Sequence, residues 1–464
     1  MEQTEKKTSL NKNMILGIVG TVLMKVVSLL TVVAVGYLMT ASQYGNLSTY
    51  NTWITIFGIV VGLQFSGSIQ NAYVEYSKED FHKYCSTVLL IALGSTVVIF
   101  LPFVIANQYF SELLKIEPIL MYTLIPQCFG SFLIGFMTSY FLAQKKVLKN
   151  LIWTLTYAVL LSGFALLLTQ LFEVKELGYA IGSFIPNIGM GLFCFFYLMI
   201  KSKFAFDPKF LKFAFLFSLP LIMHMAGNVI LAQSDKLMIR YMMDEVAMGQ
   251  YTMVHNYSLL LNSLWMAFNS VFIPYYYDAL KENDTEKISS YTRNYLITFS
   301  CISFGYILVG REIIHFVISE EYYPGLSIFE LGTVAQYLIF LYSFSVNYEF
   351  FKKKTIWIAI GTLLTAAINI GLNYIFINQW GIFGAALASA ISYLILVVFH
   401  EIIARFVVKE YPIKLWYLLV AGVAGIAVCV GSILLKDYWI PRWIIGGLIG
   451  VFLIIRLIKV KRII

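Results

Sequence analysis

The sequence predicts an all-α integral membrane protein with about fourteen transmembrane helices, and its composition, hydropathy and charge distribution all indicate this fold class. Of 464 residues, 59% are hydrophobic and only 12% are charged, against roughly 25% charged residues in soluble domains. The mean hydropathy is +0.79. Aromatic residues reach 16%, and many Tyr and Trp residues end apolar runs, as in the aromatic belts of membrane proteins.

Fourteen apolar runs are long enough to cross a bilayer, which requires about 20 apolar residues per helix. The runs begin near Met14, Leu47, Tyr84, Ile119, Leu151, Gly178, Phe213, Gly249, Tyr295, Ser327, Ile356, Gly381, Trp416 and Ile440. Pro441 and Arg442 interrupt the start of the last run, so twelve or thirteen spans are the alternative. The five cysteines lie singly in apolar runs and predict neither a disulfide nor a metal site.

Positive charges alternate along the connections between these runs. Of the 33 Lys and Arg residues, 25 lie in every second connection, beginning with the N-terminal segment, 7 lie in the other connections, and Lys25 lies within the first span. Because cytoplasmic loops carry the excess of Lys and Arg, this split predicts a multi-pass protein with both termini in the cytoplasm. Topology thus explains the net charge of +8, and no nucleic-acid partner is predicted.

Two pairs of similar stretches indicate an internal duplication. SQYGNLSTYNTW from Ser42 resembles VAMGQYTMVHNY from Val246, and LGYAIGSFIPN from Leu177 resembles WGIFGAALASA from Trp380, at offsets of about 204 and 203 residues. We therefore predict two six-helix lobes, residues 1–206 and 207–410, related by a pseudo-two-fold axis along the membrane normal, and two additional helices in residues 411–464. Parallel repeats of this kind are typical of alternating-access transporters.

Lys25 is a basic residue at predicted membrane depth. It lies about twelve residues into the first span, roughly 18 Å from the cytoplasmic end at 1.5 Å per residue. A charge at that depth costs about 3 kcal/mol on insertion scales, so it needs a partner or a wet cavity. We hypothesise that Lys25 faces an aqueous cavity and contacts an anion; a shallower helix start or a structural partner is the alternative.

Three further spans carry polar residues at helical spacing. His224 and Asn228 share a face of the seventh span, close to Pro220 and Gly227, which suggests a kinked helix that lines a cavity. The second span presents Gln64, Ser68 and Asn71, and the eighth presents His255, Asn262 and Asn269. Structural hydrogen bonds between helices, including a buried and hydrogen-bonded histidine, are the alternative interpretation.

Acidic residues accompany basic residues near the ends of spans. Asp235 begins a charged cluster at the outer end of the seventh span, where an interfacial cluster and a substrate contact are both open interpretations. Glu401 and Arg405 predict a local i, i+4 ion pair. Glu349 precedes residues 352–354, all lysines, and predicts a surface partner for them.

Four stretches together resemble a known family. Lys25 is followed by YLMTASQYGNLSTY, then by SDKLMIRYMMDEVAMGQY, which contains Asp235 and Gly249, then by Pro274 and by WGIFGAALASAISY. In this order and spacing, they resemble Wzx-type oligosaccharide flippases of the polysaccharide transporter family, within the multidrug/oligosaccharidyl-lipid/polysaccharide exporter superfamily. The resemblance covers nearly the whole chain.

The resemblance implies a two-lobed exporter in the bacterial cytoplasmic (inner) membrane. Such a protein moves an undecaprenyl-diphosphate-linked oligosaccharide repeat unit from the inner to the outer leaflet by alternating access, for O-antigen or capsule biosynthesis. Lys25 would bind the diphosphate, and Asn71, Asn228 and Asn262 would bind the sugars. The predicted substrate-binding residues are Lys25, Asn71, His224, Asn228, Asp235, His255 and Asn262.

The same resemblance sets the expected partners and the energy source. Membrane lipid, a polysaccharide polymerase and glycosyltransferases are the expected partners. No cofactor is expected, and we hypothesise coupling to a proton or sodium gradient or to the membrane potential. Because histidine has an unperturbed pKa near 6.5, protonated histidines could add positive charge for the substrate.

Two other functions are weighed against the flippase. A drug exporter, or an exporter of another lipid-linked precursor from the same superfamily, is the first alternative, but no Asp or Glu stands clearly at the middle of a span. A membrane-embedded polymerase or ligase is the second, yet the sequence shows neither a large external loop nor a P-loop or Ser/His/Asp pattern. We therefore predict no enzymatic activity and no catalytic residue.

Overall fold

The computed structural model describes residue 20 and residues 23–460, apart from the side chains of residues 224 and 460. Every regular element in this part of the chain is helical, and no strand occurs in it. The chain divides into two compact units, Met1–Ile230 and Leu231–Ile464, called unit 1 and unit 2 below. The predicted all-α fold is confirmed, whereas the predicted domain boundaries at residues 206 and 410 stay predictions.

The described residues of unit 1 form the described part of α1, seven further helices and the first part of a ninth helix. They are α1 Leu23–Leu38, α2 Ala41–Val61, α3 Ile69–Glu75, α4 Lys78–Ile105, α5 Asn107–Leu114, α6 Pro118–Ala143, α7 Val147–Leu171, α8 Lys175–Lys201 and α9 Lys209–Met242. No connection between consecutive helices of this unit exceeds seven residues. Helix α9, which contains Pro220, begins in unit 1 and ends in unit 2.

Unit 2 contains the end of α9 and six further helices. They are α10 Glu245–Glu282, α11 Thr285–Val317, α12 Phe329–Phe351, α13 Thr355–Ile402, α14 Leu415–Leu434 and α15 Trp439–Val460. A 3₁₀ segment, Glu320–Ile328, precedes α12, and a π-helical turn, Ile403–Val408, ends α13. Helix α13 holds two helical segments that meet at Gly381.

The fourteen predicted spans correspond to helical segments of the described chain. Ten helices there are long and apolar enough to cross a membrane, and eleven if α2 and α3 count as one bent span. The remaining segments are α1, whose described part has fewer than 18 residues, α10, which is long but less apolar, and the second segment of α13. Hydropathy therefore predicts the number of helical segments, of which ten or eleven are long and apolar enough to cross a membrane.

Polar side chains mark where several helices begin. Thr40 forms a capping box with Gln43 at α2. Asp244 accepts a hydrogen bond from the backbone N–H of Ala247 at 2.7 Å at the start of α10. Asp284 caps α11 in the same way, with its carboxylate 2.9 Å from the backbone nitrogen of Lys287. These caps satisfy backbone N–H groups that have no partner within the helix.

The second span is broken rather than continuous. Leu63 and Gln64 have positive φ angles of 49° and 51°, and α2 and the segment that follows it are bent by 52°. The Gln64 amide donates to the carbonyl oxygens of Gly58 and Ile59. The prediction that Gln64 shares one helix face with residues 68 and 71 is therefore wrong, because helical spacing does not continue through the break.

Helix α13 reverses direction at a glycine. Gly381 has φ +56° and ψ −135°, a conformation that side chains disfavour. Close to the reversal, a Cβ on Gly384 would lie 2.0 Å from the carbonyl oxygen of Phe376. In unit 1, a Cβ on Gly178 would lie 2.4 Å from the carbonyl oxygen of Leu168. The similar stretches from Leu177 and Trp380 thus both begin the second arm of a tightly packed helical pair.

The C-terminal pair of helices is held to α11 by buried charge. Arg442 is fully buried and bonds to Glu312, and it lies 3.9 Å from Glu330. Glu330 in turn lies 3.3 Å from Arg311. Pro441 and Arg442 both lie inside α15, so they do not shorten it. The alternative of fewer than fourteen spans therefore has no support from the last helix.

Glu349 is not a surface residue, contrary to expectation. It is fully buried, and its Oε1 lies 2.8 Å from Nδ1 of His400, which is also fully buried. Helix α12 packs against α13, so the two side chains meet although 51 residues separate them. The predicted Glu401–Arg405 ion pair is confirmed at 2.8 Å, and Glu401 also accepts a hydrogen bond from Ser345.

Candidate functional site

A buried polar cluster in unit 2 surrounds a carboxylate; we call Asp235, Tyr251, Asn369, Asn373 and Ser389 the Asp235 cluster. Asp235 is only 4% exposed. The Tyr251 hydroxyl donates to its Oδ2 at 2.9 Å, and the Asn373 amide donates to its Oδ1 at 2.6 Å. The Ser389 hydroxyl also donates to Oδ2. Three donors thus satisfy the carboxylate, as a buried charged group requires.

The reversal of α13 builds most of this cluster. It places Asn369 and Asn373, on the first segment, against Ser389 and Ser392, on the second. The Asn369 amide donates to the Ser392 hydroxyl at 3.3 Å, and the Asn373 amide lies 3.0 Å from Oδ1 of Asn369. Ser234, next to Asp235 on α9, donates to the same Oδ1 at 2.8 Å. The two arms of α13 and α9 are therefore joined by one hydrogen-bond network.

A cavity of about 200 Å³ adjoins the Asp235 cluster inside unit 2. Its polar lining includes Asp235, Lys236, Gln233, Tyr251, His255, Asn262, Gln336, Ser389 and Tyr393. The ring of His255 stacks on the ring of Tyr251, with centroids 5.4 Å apart. The cavity therefore offers a carboxylate, an ammonium, an imidazole and several amides to a small polar ligand.

The oxygen atoms at this site suit a small cation or a proton. Oδ1 of Asn373 is buried and has no hydrogen-bond partner among the described residues, and the Asp235 carboxylate lies next to it. In the described chain, no group of three or more His, Cys, Asp and Glu residues is arranged to hold a metal ion. A single carboxylate among neutral oxygens is the kind of intramembrane group that binds Na⁺ or a proton in transporters.

The structure brings three of the seven predicted site residues together. Asp235, His255 and Asn262 all line the cavity, although they belong to two different helices. Asn228, another predicted site residue on α9, is half-buried. Asn269, two seven-residue steps along α10 from His255, does not line the cavity and accepts a hydrogen bond from the Asn347 amide at 3.0 Å.

The remaining predicted residues lie elsewhere. Lys25 and Asn71 are exposed on the surface of unit 1, on α1 and α3. His224 belongs to α9, but its side chain lies outside the described residues. No contact in the described structure therefore tests Lys25, Asn71 or His224 as substrate ligands, and their roles stay predictions.

Four members of the Asp235 cluster were not predicted from the sequence. Asn369 and Asn373 stand at i, i+4 in the eleventh span, the same signal that drew attention to residues 224 and 228. Ser389 lies in the stretch WGIFGAALASA, which was noted only as a repeat. Tyr251 likewise lies in the repeated stretch VAMGQYTMVHNY, but an aromatic residue near a span end is ordinary in a membrane protein and did not single it out.

Comparison with known proteins places the chain among membrane proteins of polysaccharide synthesis. Residues 10–279 match the family described as polysaccharide biosynthesis protein. The Lsg locus putative protein 1 of Haemophilus influenzae is 24% identical over 77% of this chain and 89% of its own length. An uncharacterized membrane protein of the same organism is 22% identical over 87% of this chain and 99% of its own.

Solved structures of transporters share the fold. The lipid II flippase MurJ in an inward closed conformation matches with a TM-score of 0.69 at 19% identity, over 98% of this chain and 99% of that one. The MATE multidrug transporter DinF-BH, solved as a complex, matches with a TM-score of 0.63 at 14% identity, over 88% and 97%. An inward-facing multidrug resistance MATE family transporter of the MOP superfamily matches with a TM-score of 0.61 at 14% identity, over 88% and 95%.

Proposed function

Since the chain belongs to the family of polysaccharide biosynthesis proteins, we propose that it is a flippase that carries a lipid-linked oligosaccharide across the bacterial cytoplasmic membrane. The resemblance to the polysaccharide transporter family, inferred from the sequence, is confirmed at the level of the family. One observation carries the proposal: this family match coincides with a fold shared end to end with a lipid II flippase. A membrane step in polysaccharide synthesis combined with a transporter fold favours movement of a membrane-bound intermediate.

The substrate class follows from the chemistry that such a step requires. We propose an undecaprenyl-diphosphate-linked oligosaccharide repeat unit for O-antigen or capsule, moved from the inner to the outer leaflet by alternating access. A diphosphate must meet positive charge within the membrane, and Lys25 on α1 offers one. Glycosyltransferases that build the unit and a polymerase that consumes it are the partners that this role requires.

We propose that the Asp235 cluster couples transport to a proton or sodium gradient. Inside unit 2, the Asp235 carboxylate and a neighbouring amide oxygen that has no hydrogen-bond partner among the described residues can together bind a cation. Binding there would change the hydrogen bonds that join α9 to both arms of α13. Coupling by such a device needs no cofactor.

A drug exporter of the same superfamily is the second candidate, and two observations favour it. The fold is shared with multidrug transporters. The sequence-based argument against it was that no Asp or Glu stands clearly at the middle of a span; Asp235, a buried acidic residue within α9, weakens that argument. The family match to polysaccharide biosynthesis proteins still favours the flippase, because drug export is not a step in polysaccharide synthesis.

Transport in proteoliposomes tests the proposal. Purified protein is reconstituted with a fluorescent undecaprenyl-diphosphate oligosaccharide, and the fraction in each leaflet is read from quenching by an impermeant reductant. We expect transfer well above that of protein-free vesicles, a loss of about tenfold or more in Lys25→Ala, and near-normal transfer in Lys25→Arg. Transfer equal to that of protein-free vesicles would rule out the flippase, and normal transfer in Lys25→Ala would rule out that role for Lys25.

A matched export assay distinguishes the second candidate. Cells that carry the wild-type protein are loaded with a cationic dye, and its efflux is compared with that of cells without the protein. Dye efflux in the absence of lipid transfer in vesicles would favour a drug exporter. Lipid transfer without dye efflux would favour the flippase.

A further inference from the structure

A basic pocket lies at one end of unit 1, far along the chain from the Asp235 cluster. Its volume is about 390 Å³, and its lining residues, which define the lysine pocket, are Tyr73, Tyr76, Lys78, Phe81, His82, Gln144, Lys146 and Lys201. These residues come from the end of α3, the start of α4, the end of α8 and the turn between α6 and α7. The pocket therefore opens where several helices end, at the side of the membrane on which lysines predominate.

The charge of the lysine pocket is not balanced by acidic residues. No Asp or Glu belongs to its lining, and within residues 23–460 no ion pair involves Lys78, Lys146 or Lys201. Two lysines close by are different: Lys83 lies 2.8 Å from Glu79, and Lys209 lies 3.6 Å from Asp80. Two nearby carboxylates, Glu79 and Asp80, are thus used by other lysines, and three lysines line the pocket together.

Lys146, in the turn between α6 and α7, lies close to other lysines. Burial lowers the pKa of the Lys146 ammonium, and the charges of Lys201, Lys149 and Lys78 lower it further. Such repulsion is relieved when an anion binds among the ammonium groups. The pocket is therefore built at an electrostatic cost that a negatively charged ligand would offset.

The positive groups of the pocket are also held in place. The Lys201 ammonium donates to the Tyr140 hydroxyl at 2.7 Å and lies over the rings of Tyr140 and Tyr197, 5.3 and 5.6 Å from their centroids. Nε2 of Gln144 is buried without a hydrogen-bond partner among the described residues. Because the Lys201 ammonium is already held, binding an anion there costs less conformational entropy. The Gln144 amide offers a further hydrogen-bond donor.

We propose that the lysine pocket binds the phosphate of a lipid headgroup at the surface of the membrane. Three ammonium groups and an amide donor are what a phosphate or diphosphate ester needs, while Tyr73, Tyr76 and Phe81 supply apolar surface for the glycerol or sugar beside it. A volume of this order is typical of a small-molecule site. The phosphate could come from the diphosphate of a lipid-linked oligosaccharide or from a membrane phospholipid, and the site does not depend on transport.

Binding to the full-length protein in neutral detergent tests this site. The probes are farnesyl diphosphate, which carries a polyprenyl diphosphate, short-chain phosphatidylglycerol, which carries a phosphodiester, and farnesol, which carries no phosphate. We expect Lys146→Gln/Lys201→Gln to weaken binding of the phosphate probes about tenfold or more, and Lys146→Arg/Lys201→Arg to bind like wild type within a few-fold. Tighter binding of farnesyl diphosphate would assign the lipid-linked intermediate, and tighter binding of phosphatidylglycerol would assign the bilayer.

A matched double variant controls for the general positive charge of this face. Lys83→Gln/Lys209→Gln removes the same charge from lysines that are already paired with Glu79 and Asp80, and we expect its binding to stay within about twofold of wild type. Equal weakening in both double variants would overturn the proposal, as would displacement of farnesyl diphosphate by farnesol or no binding by the wild-type protein. Thermal melting of each variant checks that the helices still fold.

Discussion

At Asp235, three hydrogen-bond donors from α10 and α13 hold one buried carboxylate, and this environment decides what the residue can do. Each donor can turn away or be shared when a cation approaches, since hydroxyl and amide groups reorient at small cost. The chain on both sides of the Gly381 reversal would move with them. A binding event at a single side chain is thereby connected to two helical segments.

Asp235→Asn tests whether the charge at this position couples transport. The substitution keeps the shape and removes the charge, so we expect lipid transfer to lose its dependence on an imposed proton or sodium gradient. The lost or rearranged hydrogen bonds should cost about 1–3 kcal/mol of stability. Asp437→Asn, at an exposed loop residue, is the control and should retain gradient dependence. Gradient-driven transfer that persists in Asp235→Asn would contradict the coupling role.

Which residues are polar within a span can be read from the sequence, but their partners cannot. His255 and Asn262 were singled out by their spacing, and they do line a cavity. Asn373 reaches Asp235 across 138 residues of sequence, and His400 reaches Glu349 across 51. Spacing rules describe neighbours on one helix, so contacts between helices require the packed structure.

Helix positions were predictable because each span is a continuous apolar run, whereas breaks within spans were only partly predictable. Position 381 is a glycine, the residue type that readily adopts the observed backbone conformation. The sequence analysis also predicts that a span begins there. Leu63 and Gln64 adopt positive φ without being glycine. Gly62 directly precedes this break, and the ring of Phe132 occupies the space that a Cβ on Gly62 would need.

The reversal in α13 makes Gly381→Ala a test at the scale of this element. At φ +56° an alanine is strained, and its Cβ would lie 3.1 Å from Cε of Met243, so we expect a loss of about 1–3 kcal/mol and a lower melting temperature in detergent. Gly371→Ala is the matched control, since it lies in the same helix with nothing within 4 Å of the added Cβ. There alanine should be neutral or stabilising. Equal melting temperatures for both variants would show that the reversal is not strained.

At the scale of the whole molecule, ion pairs reduce the effective positive charge of the two sets of connections by different amounts. Of the seven Lys and Arg residues in the connections that carry few, three form ion pairs: Arg240 with Glu245, Arg311 with Glu330 and Arg442 with Glu312. Paired arginines exert less field on the membrane than isolated ones. Among the described residues of the basic connections, six Lys and Arg residues also form ion pairs: Lys83, Lys209, Lys281, Lys287, Lys352 and Arg405. Pairing therefore removes a larger share of the positive charge from the connections that carry few Lys and Arg than from those that carry many.

The charge asymmetry predicts the orientation of the entire molecule, and cysteine labelling can measure it. Lys145→Cys and Lys353→Cys lie in basic connections, whereas Glu117→Cys and Asp437→Cys lie in the opposite ones. Because lysine-rich loops stay in the cytoplasm, an impermeant maleimide should label only the second pair in intact cells and all four after lysis. The unsubstituted protein, with its own five cysteines, sets the background. Labelling of Lys353→Cys in intact cells would reverse the orientation and place the lysine pocket on the outer surface.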